Sequence, residues 1–276
     1  MTIRQVLAEG RKKLREAQIP DWELDAWYLL EYVTGYTRND YFLHQEDETA
    51  DDRKQQYEEL IQKRSGHIPL QHLTGSQEFM GISFLVNEHV LIPRQDTEIL
   101  VEESMKYIRE GMHILDMCTG SGCILLSILK LKPGVAGWGA DLSERALAVA
   151  EKNRDRLNVQ AEFLKSDLFS GVTGRYDCIL SNPPYIPSGI VDTLMEEVRG
   201  HEPRQALDGG KDGLYYYRKI IEQSSEYLKP GGMLFFEIGY DQSETVREQM
   251  KDFYTGVTVV KDLAGLDRVV YGRLRS

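Results

Sequence analysis

The sequence is poor in cysteine. It has three in 276 residues (Cys118, Cys123 and Cys178), at spacings that match neither a disulfide framework nor a zinc site. Small, reduced, buried thiols are the reading that remains. No run approaches the roughly 18 consecutive apolar residues of a membrane span. The opening, Met1-Thr-Ile-Arg-Gln-Val-Leu-Ala-Glu-Gly10, lacks the apolar stretch of a signal peptide, so a cytoplasmic location without membrane attachment is expected. Lys and Arg number 33 against 44 Asp and Glu, and the net charge of −11 is spread along the chain. Proteins that neutralise phosphates present a basic face. None is legible here, which makes nucleic acid an unexpected partner. Internal repeats and low-complexity tracts are also missing. Nothing specifies an oligomer, and a monomer is expected.

What is present suits a soluble α/β protein long enough for two domains. Residues 1–75 read as a small helical domain. Thr2-Ile-Arg-Gln5 has capping-box spacing ahead of a helix that Pro20 breaks. Asp21 is expected to cap a second helix, Trp22 to Val33, stopped by Gly35. A third runs from about Thr49 to Gly66. Residues 76–95 read as a β-hairpin connector, with Phe79–Val86 and His89–Pro93 as strands around Asn87-Glu88. Asp96-Thr-Glu98 can open a helix to about Arg109. In the rest of the 96–276 domain, apolar runs alternate with helical stretches, the pattern of a doubly wound sheet. Strands are expected at 113–117, 135–140, 161–166, 176–181, 232–238, 256–261 and 267–274, the last two as an antiparallel hairpin. Helices fit 122–131, 143–157, 212–228 and 241–252.

Two strand ends carry the chemistry. The first, Ile114-Leu-Asp116-Met-Cys-Thr-Gly120-Ser-Gly122, ends in a glycine turn ahead of a helix, where backbone can approach a ligand and helix N–H groups are free. Leu125 stands where a dinucleotide fingerprint needs its third glycine, which argues against a nicotinamide cofactor. Asp116 can accept from the ammonium of a bound methionine moiety or simply order the loop. Asp141, ending the next strand, can accept both hydroxyls of a ribose or cap the following helix, a role Ser143 fills equally well. Asp167, ending the third, can accept the exocyclic amine of adenine beside the apolar Leu168 and Phe169, or act as a turn aspartate. The second strand end is Asn182-Pro183-Pro184-Tyr185. Two prolines remove two backbone donors, so acceptors dominate: the Asn182 side-chain oxygen and the Pro183 carbonyl. That pair can hold an –NH2 group by both hydrogens while the Tyr185 ring stacks on its plane. A cofactor loop and a planar-nitrogen grip at one sheet edge predict methyl transfer from S-adenosylmethionine to an amide or amino nitrogen. The expected step is one in-line transfer that leaves S-adenosylhomocysteine.

With Asn-Pro-Pro-Tyr go Leu73-Thr-Gly-Ser-Gln-Glu-Phe-Met-Gly81, Leu91-Ile-Pro-Arg-Gln-Asp-Thr-Glu98 and His201-Glu-Pro-Arg-Gln-Ala-Leu-Asp-Gly-Gly-Lys-Asp-Gly213. On these motifs the chain resembles, over nearly its full length, the peptide chain release factor glutamine N5-methyltransferases (the PrmC/HemK family). The resemblance implies a class I S-adenosylmethionine-dependent methyltransferase, Rossmann-like with a seven-stranded sheet. The implied substrate is the glutamine of the Gly-Gly-Gln motif in bacterial class I release factors, with the helical front domain reading the factor outside that loop. It carries cofactor roles onto Thr119, Gly120, Ser121, Gly122 and Asp141, with Asp116, Cys118, Asp167, Leu168 and Asn182 counted in the same site, and the substrate grip onto Asn182 through Tyr185. The chain departs from the family pattern at Met117 and Cys118, where Leu-Gly is usual. It departs again at Leu168, where an aromatic is frequent, and at Gln95, where proline is. Arg94, Glu98, Glu202 and Arg204 can either hold the hairpin and the segment after the motif over the site or form ordinary surface pairs. Tyr215-Tyr-Tyr217 is read as packing a helix on the sheet, and the six histidines receive no role.

Two rivals stand beside this reading. A methyltransferase acting on the exocyclic amine of adenine or guanine in nucleic acid would use the same tetrapeptide, and predicts a basic channel beside Tyr185. A non-catalytic adaptor with a vestigial cofactor fold predicts no S-adenosylmethionine binding.

Overall fold

The computed structural model describes residues 1–275, which cluster into two compact units. The first comprises Met1–Gly75 together with Met195–His201, a segment that the sequence reading left in the sheet-bearing domain. Helix α1 (Ile3–Glu16) starts at the expected capping box: Gln5 N–H donates to Thr2 Oγ1 at 3.3 Å, and Thr2 N–H to Gln5 Oε1 at 3.0 Å. Helix α2 (Trp22–Thr34) stops at Gly35, where φ is +72°, a left-handed end that glycine adopts without a Cβ clash. Asp21 sits at its N-cap position but makes no side-chain capping bond, contrary to expectation. Helix α3 (Arg38–His44) and helix α5 (Leu70–Thr74) escaped the sequence reading because so few residues show no periodicity. Between them α4 spans Asp51–Ser65. Leu7, Leu14, Trp27, Leu30, Tyr57 and Ile61 form the core of this unit. Beside it, buried Arg64 donates to Asp25 Oδ2 (2.7 Å), Glu197 Oε2 (2.6 Å) and the Ile68 carbonyl (3.1 Å).

The second unit, residues 76–194 and 202 onward, opens with a hairpin of β1 (Ser76–Phe79) and β2 (Ile82–Leu85). This corrects the expected register. The chain reverses at Met80-Gly81, with φ of +53° and +69°, the signs a two-residue turn between twisted strands needs. Residues 89–93 are then free of strand pairing. A 3-10 turn (Gln95–Thr97) leads into α6 (Glu98–Met105), shorter than expected.

The sheet strands are β3 (His113–Met117), β4 (Ala136–Asp141), β5 (Glu162–Lys165), β6 (Tyr176–Ser181), β7 (Leu228–Glu237), β8 (Tyr254–Lys261) and β9 (Asp267–Leu274). Their order is β5-β4-β3-β6-β7-β9-β8, and β9 alone runs against its neighbours. Helices α7 (Cys123–Leu131), α8 (Glu144–Leu157), α11 (Tyr215–Tyr227) and α12 (Ser243–Met250) supply the layers; α9 (Ser188–Val191) is short, and α10 is Glu196–His201 of the first unit. Side chains on β6 and β7 alternate between two cores: Cys178, Leu180, Met233 and Phe235 on one face, Ile179, Leu234 and Phe236 on the other. With both faces buried, the strands read as unbroken apolar runs, which is why they were legible.

The chain order reverses between β3 and β6. At such a switch point the loops leaving adjacent strands diverge and open a crevice at their carboxyl ends. The register pairs Met117 with Ser181, so the glycine loop and Asn182 leave the sheet side by side. No helix among the described residues is long and apolar enough to cross a membrane.

Candidate active site

A cleft enclosing about 990 Å³, open solvent at its mouth included, occupies that crevice. One wall is the loop after β3. Cys118, Gly120 and Gly122 all have positive φ (+62°, +54° and +79°), so the loop is a tight left-handed crossing into α7. A Cβ on Gly122 would lie 3.0 Å from Leu126 Cδ1 and 3.2 Å from Ala150 Cβ, so glycine is required for both conformation and room. No side chain caps α7, which leaves first-turn N–H groups beside the cleft.

The loop is held from three sides. Asp141 takes Gly120 N–H on one carboxylate oxygen and Ser143 N–H on the other, both at 2.9 Å. Ser143 itself caps α8, accepting from Ala146 N–H at 3.1 Å, so Asp141 is not the helix cap. Burial pushes the Asp141 carboxyl up, against the backbone bonds that favour its charge. Asp116 lies fully buried beneath the loop and outside the cleft lining, and accepts from Thr119 Oγ1 at 2.5 Å. Its second oxygen has no partner, and burial pushes its carboxyl up to about 7. Asn153 gives the third hold. Its amide donates to the carbonyls of Ser121 and Leu85, each at 3.0 Å, and so ties the loop to the hairpin.

Cys118, Thr119, Gly120, Ser121, Asp141, Asp167, Leu168, Asn182 and Pro184 line the cleft together. Asp116, Gly122, Pro183 and Tyr185 are not part of its wall. Leu168, in a left-handed conformation (φ +47°), faces the cleft, whereas Phe169 is turned into the core and stacks on Tyr227 at 4.6 Å. The apolar surface expected of Phe169 is therefore absent. Tyr216 supplies an aromatic face there instead, while its neighbour Tyr217 packs against the sheet as expected. Burial pushes the Cys118 thiol up, with Asp141 and Asp116 adding to the shift.

At the other strand end, Ser181 Oγ donates to the Met117 carbonyl at 2.7 Å and fastens the two strand ends together. Asn182 Nδ2 donates to Thr97 Oγ1 at 3.3 Å. The Tyr185 hydroxyl points inward and donates to Glu237 Oε1 at 3.4 Å, while its carbonyl accepts from Gln242 Nε2 at 3.0 Å. Residues 207–209 lie along the end of the tetrapeptide: Ile186 N–H donates to the Leu207 carbonyl (3.0 Å) and Gly209 N–H to that of Ile186 (2.8 Å). A Cβ at Gly209 would come 2.7 Å from the Pro184 carbonyl oxygen, so only glycine permits this approach.

The four charged residues left open by sequence divide. Glu202, 5% exposed, pairs with Arg94 and accepts Ile92 N–H at 3.1 Å. Glu98 accepts Met80 N–H at 2.6 Å and so holds the hairpin turn. Arg204 makes pairs at the surface with Asp192 (2.5 Å) and Asp208 (3.6 Å). Sequence reasoning missed Thr97, Asn153, Tyr216, Glu237 and Gln242. The one available signal was an acidic residue closing an apolar strand, in Met233-Leu-Phe-Phe-Glu237-Ile238.

The strand order, the lone antiparallel β9 and the glycine loop at the switch point define a class I, Rossmann-like methyltransferase fold. A methyltransferase from Pyrococcus furiosus shares it, with a TM-score of 0.57 over 78% of this chain and 98% of that one at 19% identity. Residues 5–75 match the PrmC N-terminal domain and residues 95–198 the methyltransferase small domain. The chain is 39% identical to the release factor glutamine methyltransferase of Caulobacter vibrioides over 99% of its own length and 96% of the relative's. With that of Geobacter sulfurreducens it shares 38% identity over 99% and 97%. It belongs to the release factor glutamine methyltransferase family.

Proposed function

We propose that this protein transfers a methyl group from S-adenosylmethionine to the side-chain amide nitrogen, N5, of the glutamine in the Gly-Gly-Gln motif of bacterial class I release factors, in the cytoplasm. The observation that carries the reading is the adjacency of Asn182 to the Cys118–Gly122 loop across the β3–β6 switch point, in a chain of this family. The cleft fits the cofactor: it has a backbone that only glycine allows, uncapped helix N–H groups and a carboxylate at the rim.

Asp141 would hold the ribose hydroxyls with the lone pairs its two backbone bonds leave free. Asp167 would accept from the adenine amine, with Leu168 and Tyr216 against the ring. Cys118, Thr119, Gly120, Ser121 and Gly122 would wrap the remainder, and Asp116 would order them through Thr119. Bound there, the cofactor supplies a methyl group made electrophilic by its sulfonium. An amide nitrogen is a weak nucleophile because its lone pair is delocalised, so orientation must provide much of the acceleration. Well-oriented groups can provide about 7–11 kcal/mol. Asn182 Oδ1 and the Pro183 carbonyl would each take one amide hydrogen and fix the plane of the –NH2 group, with Tyr185 flanking it. Pro203, Gln205 and Ala206 also line the cleft and would help to keep water off the reacting nitrogen.

Of the cleft-lining side chains, Arg94 alone carries a fixed positive charge, and Glu202 pairs with it. That favours a protein amide over a base in a phosphate-bearing strand. Transfer of radiolabelled methyl to an unmethylated release factor tests the reading, beside a Gln→Ala loop variant and duplex DNA. Label on the wild-type factor alone is expected. Label on the DNA or on the Gln→Ala factor refutes the substrate assignment.

A further inference from the structure

Two backbone segments line the cofactor side of the cleft, and they are unequally supported. One is the glycine loop, fixed at Thr119 by Asp116 and at Gly120 by Asp141. The other is the chain leaving the hairpin, from which His89, Val90, Leu91, Pro93 and Arg94 reach the cleft. Residues 86–94 form no strand. Their far end hangs on Glu202, which takes Ile92 N–H at 3.1 Å and pairs with Arg94. Val86 and Val90 add a small apolar cluster with Ala146 and Val149 of α8.

The near end of that segment and the glycine loop share one fastener, the side-chain amide of Asn153 on α8, which is wholly buried and outside the cleft lining. Its oxygen accepts Leu85 N–H at 2.7 Å. Its nitrogen donates one hydrogen to the Leu85 carbonyl and the other to the Ser121 carbonyl, each at 3.0 Å. Toward Leu85 the amide does what a residue of a neighbouring antiparallel strand would do, exchanging both bonds with it. The remaining hydrogen reaches the loop. Helical spacing aims the side chain there: Ala150, one turn earlier on α8, is the residue that a Cβ on Gly122 would approach to 3.2 Å. Two donors and one acceptor are all in use, and neither Asp nor Leu, the residues of similar size, can supply that set.

We propose that Asn153 is a positioning residue for S-adenosylmethionine, which sets the glycine loop and the start of the 86–94 segment in the arrangement that the cofactor needs. This rests on the reading of the cleft as the S-adenosylmethionine site. It adds that a residue outside the cleft governs affinity for the cofactor and leaves the grip on the substrate alone. Asn182 is fixed elsewhere, by its bond to Thr97 and by that from Ser181 to the Met117 carbonyl.

The test uses the full-length protein. In Asn153→Ala, calorimetry should find S-adenosylmethionine bound about 10- to 100-fold more weakly, the size found for outer partners that orient metal ligands. At saturating S-adenosylmethionine, kcat and the KM for release factor should stay within about threefold of wild type, the pattern of a lost binding contribution. Asn153→Asp keeps the size and the acceptor for Leu85 N–H but not the two donors. It should weaken cofactor binding as well, and serves if the alanine variant does not fold. Ser224→Ala controls for general destabilisation, because Ser224 is equally buried, bonds to Tyr254 at 2.6 Å and lies outside the cleft lining. Its affinity for S-adenosylmethionine should match the wild type. Wild-type affinity in the Asn153 variants, an equal loss in Ser224→Ala, or a fall in kcat at saturation as large as the loss of affinity overturns the proposal. A further readout needs neither cofactor nor release factor: amide hydrogen exchange at Leu85 should be faster in Asn153→Ala than in wild type and unaltered in Ser224→Ala. Should the wild type bind no S-adenosylmethionine, the reading of the cleft falls by itself, and exchange at Leu85 still decides whether the anchor exists. Equal exchange in wild type and Asn153→Ala overturns it.

Discussion

Glu237→Gln should stabilise the sheet-bearing unit at alkaline pH. The Glu237 carboxyl, ordinarily at 4.5, is pushed up to about 7 by burial, against the pull of Thr97 and Arg268, with Asp96 adding to the rise. Between those values the folded chain holds a proton that the unfolded chain releases. Stability is therefore greatest below about 4.5 and falls as the pH rises through about 7. At about 1.4 kcal/mol per pH unit, the interval from 4.5 to about 7 comes to about 3 kcal/mol. Asp116, raised from 3.8 to about 7 mainly by burial, pushes in the same direction, so removing Glu237 should cancel only part of the dependence. Urea unfolding at about pH 5 and about pH 8, followed through Trp138 on β4, measures it. The wild-type midpoint should drop between the two conditions, and the variant's should drop roughly half as far. A variant that keeps the full wild-type dependence, or is weaker than wild type at about pH 8, refutes the reasoning.

Three further outcomes follow from the contacts. Asn182→Ala should cut kcat about 100-fold or more, the scale of losing one preorganised group at a reacting centre, while calorimetry finds cofactor affinity largely retained. Asp141→Asn keeps the size but removes the charge that takes Gly120 and Ser143 N–H groups, and should weaken S-adenosylmethionine binding by about 2 kcal/mol in the same assay. Arg64→Met leaves Asp25 and Glu197 without their shared cation, and should cost the first unit about 3–5 kcal/mol in a denaturant melt.

What could be read from the sequence follows from where each signal lies. Strands β3 and β6 are buried on both faces, so their apolar runs and the motifs that end them are local and visible. The hairpin turn was misplaced because Asn87-Glu88 has turn composition, whereas Met80-Gly81 is hidden between Phe79 and Ile82 and works through backbone sign alone. The final two strands were legible as a pair. That β9 rather than β8 joins β7 was not, because pairing order depends on residues far apart in the chain. Asp116 showed the same limit: it lies fully buried beneath the loop, and no spacing rule reports depth. Tyr185 and Glu237 stand 52 residues apart and meet only once the sheet brings β7 beside β6.

The return of Met195–His201 to the helical unit sets how this chain can be divided. A fragment ending at Gly75 would lack the Glu197 carboxylate that Arg64 holds and the His201 ring at the Gly66 carbonyl. To graft the unit onto another enzyme, two stretches distant in sequence would have to move together. An insertion near either would disturb both. The helical unit is thus not a detachable module at one end of the chain. Recombination at a single boundary would break it, and the segment that continues from Asn182–Tyr185 would be altered along with it.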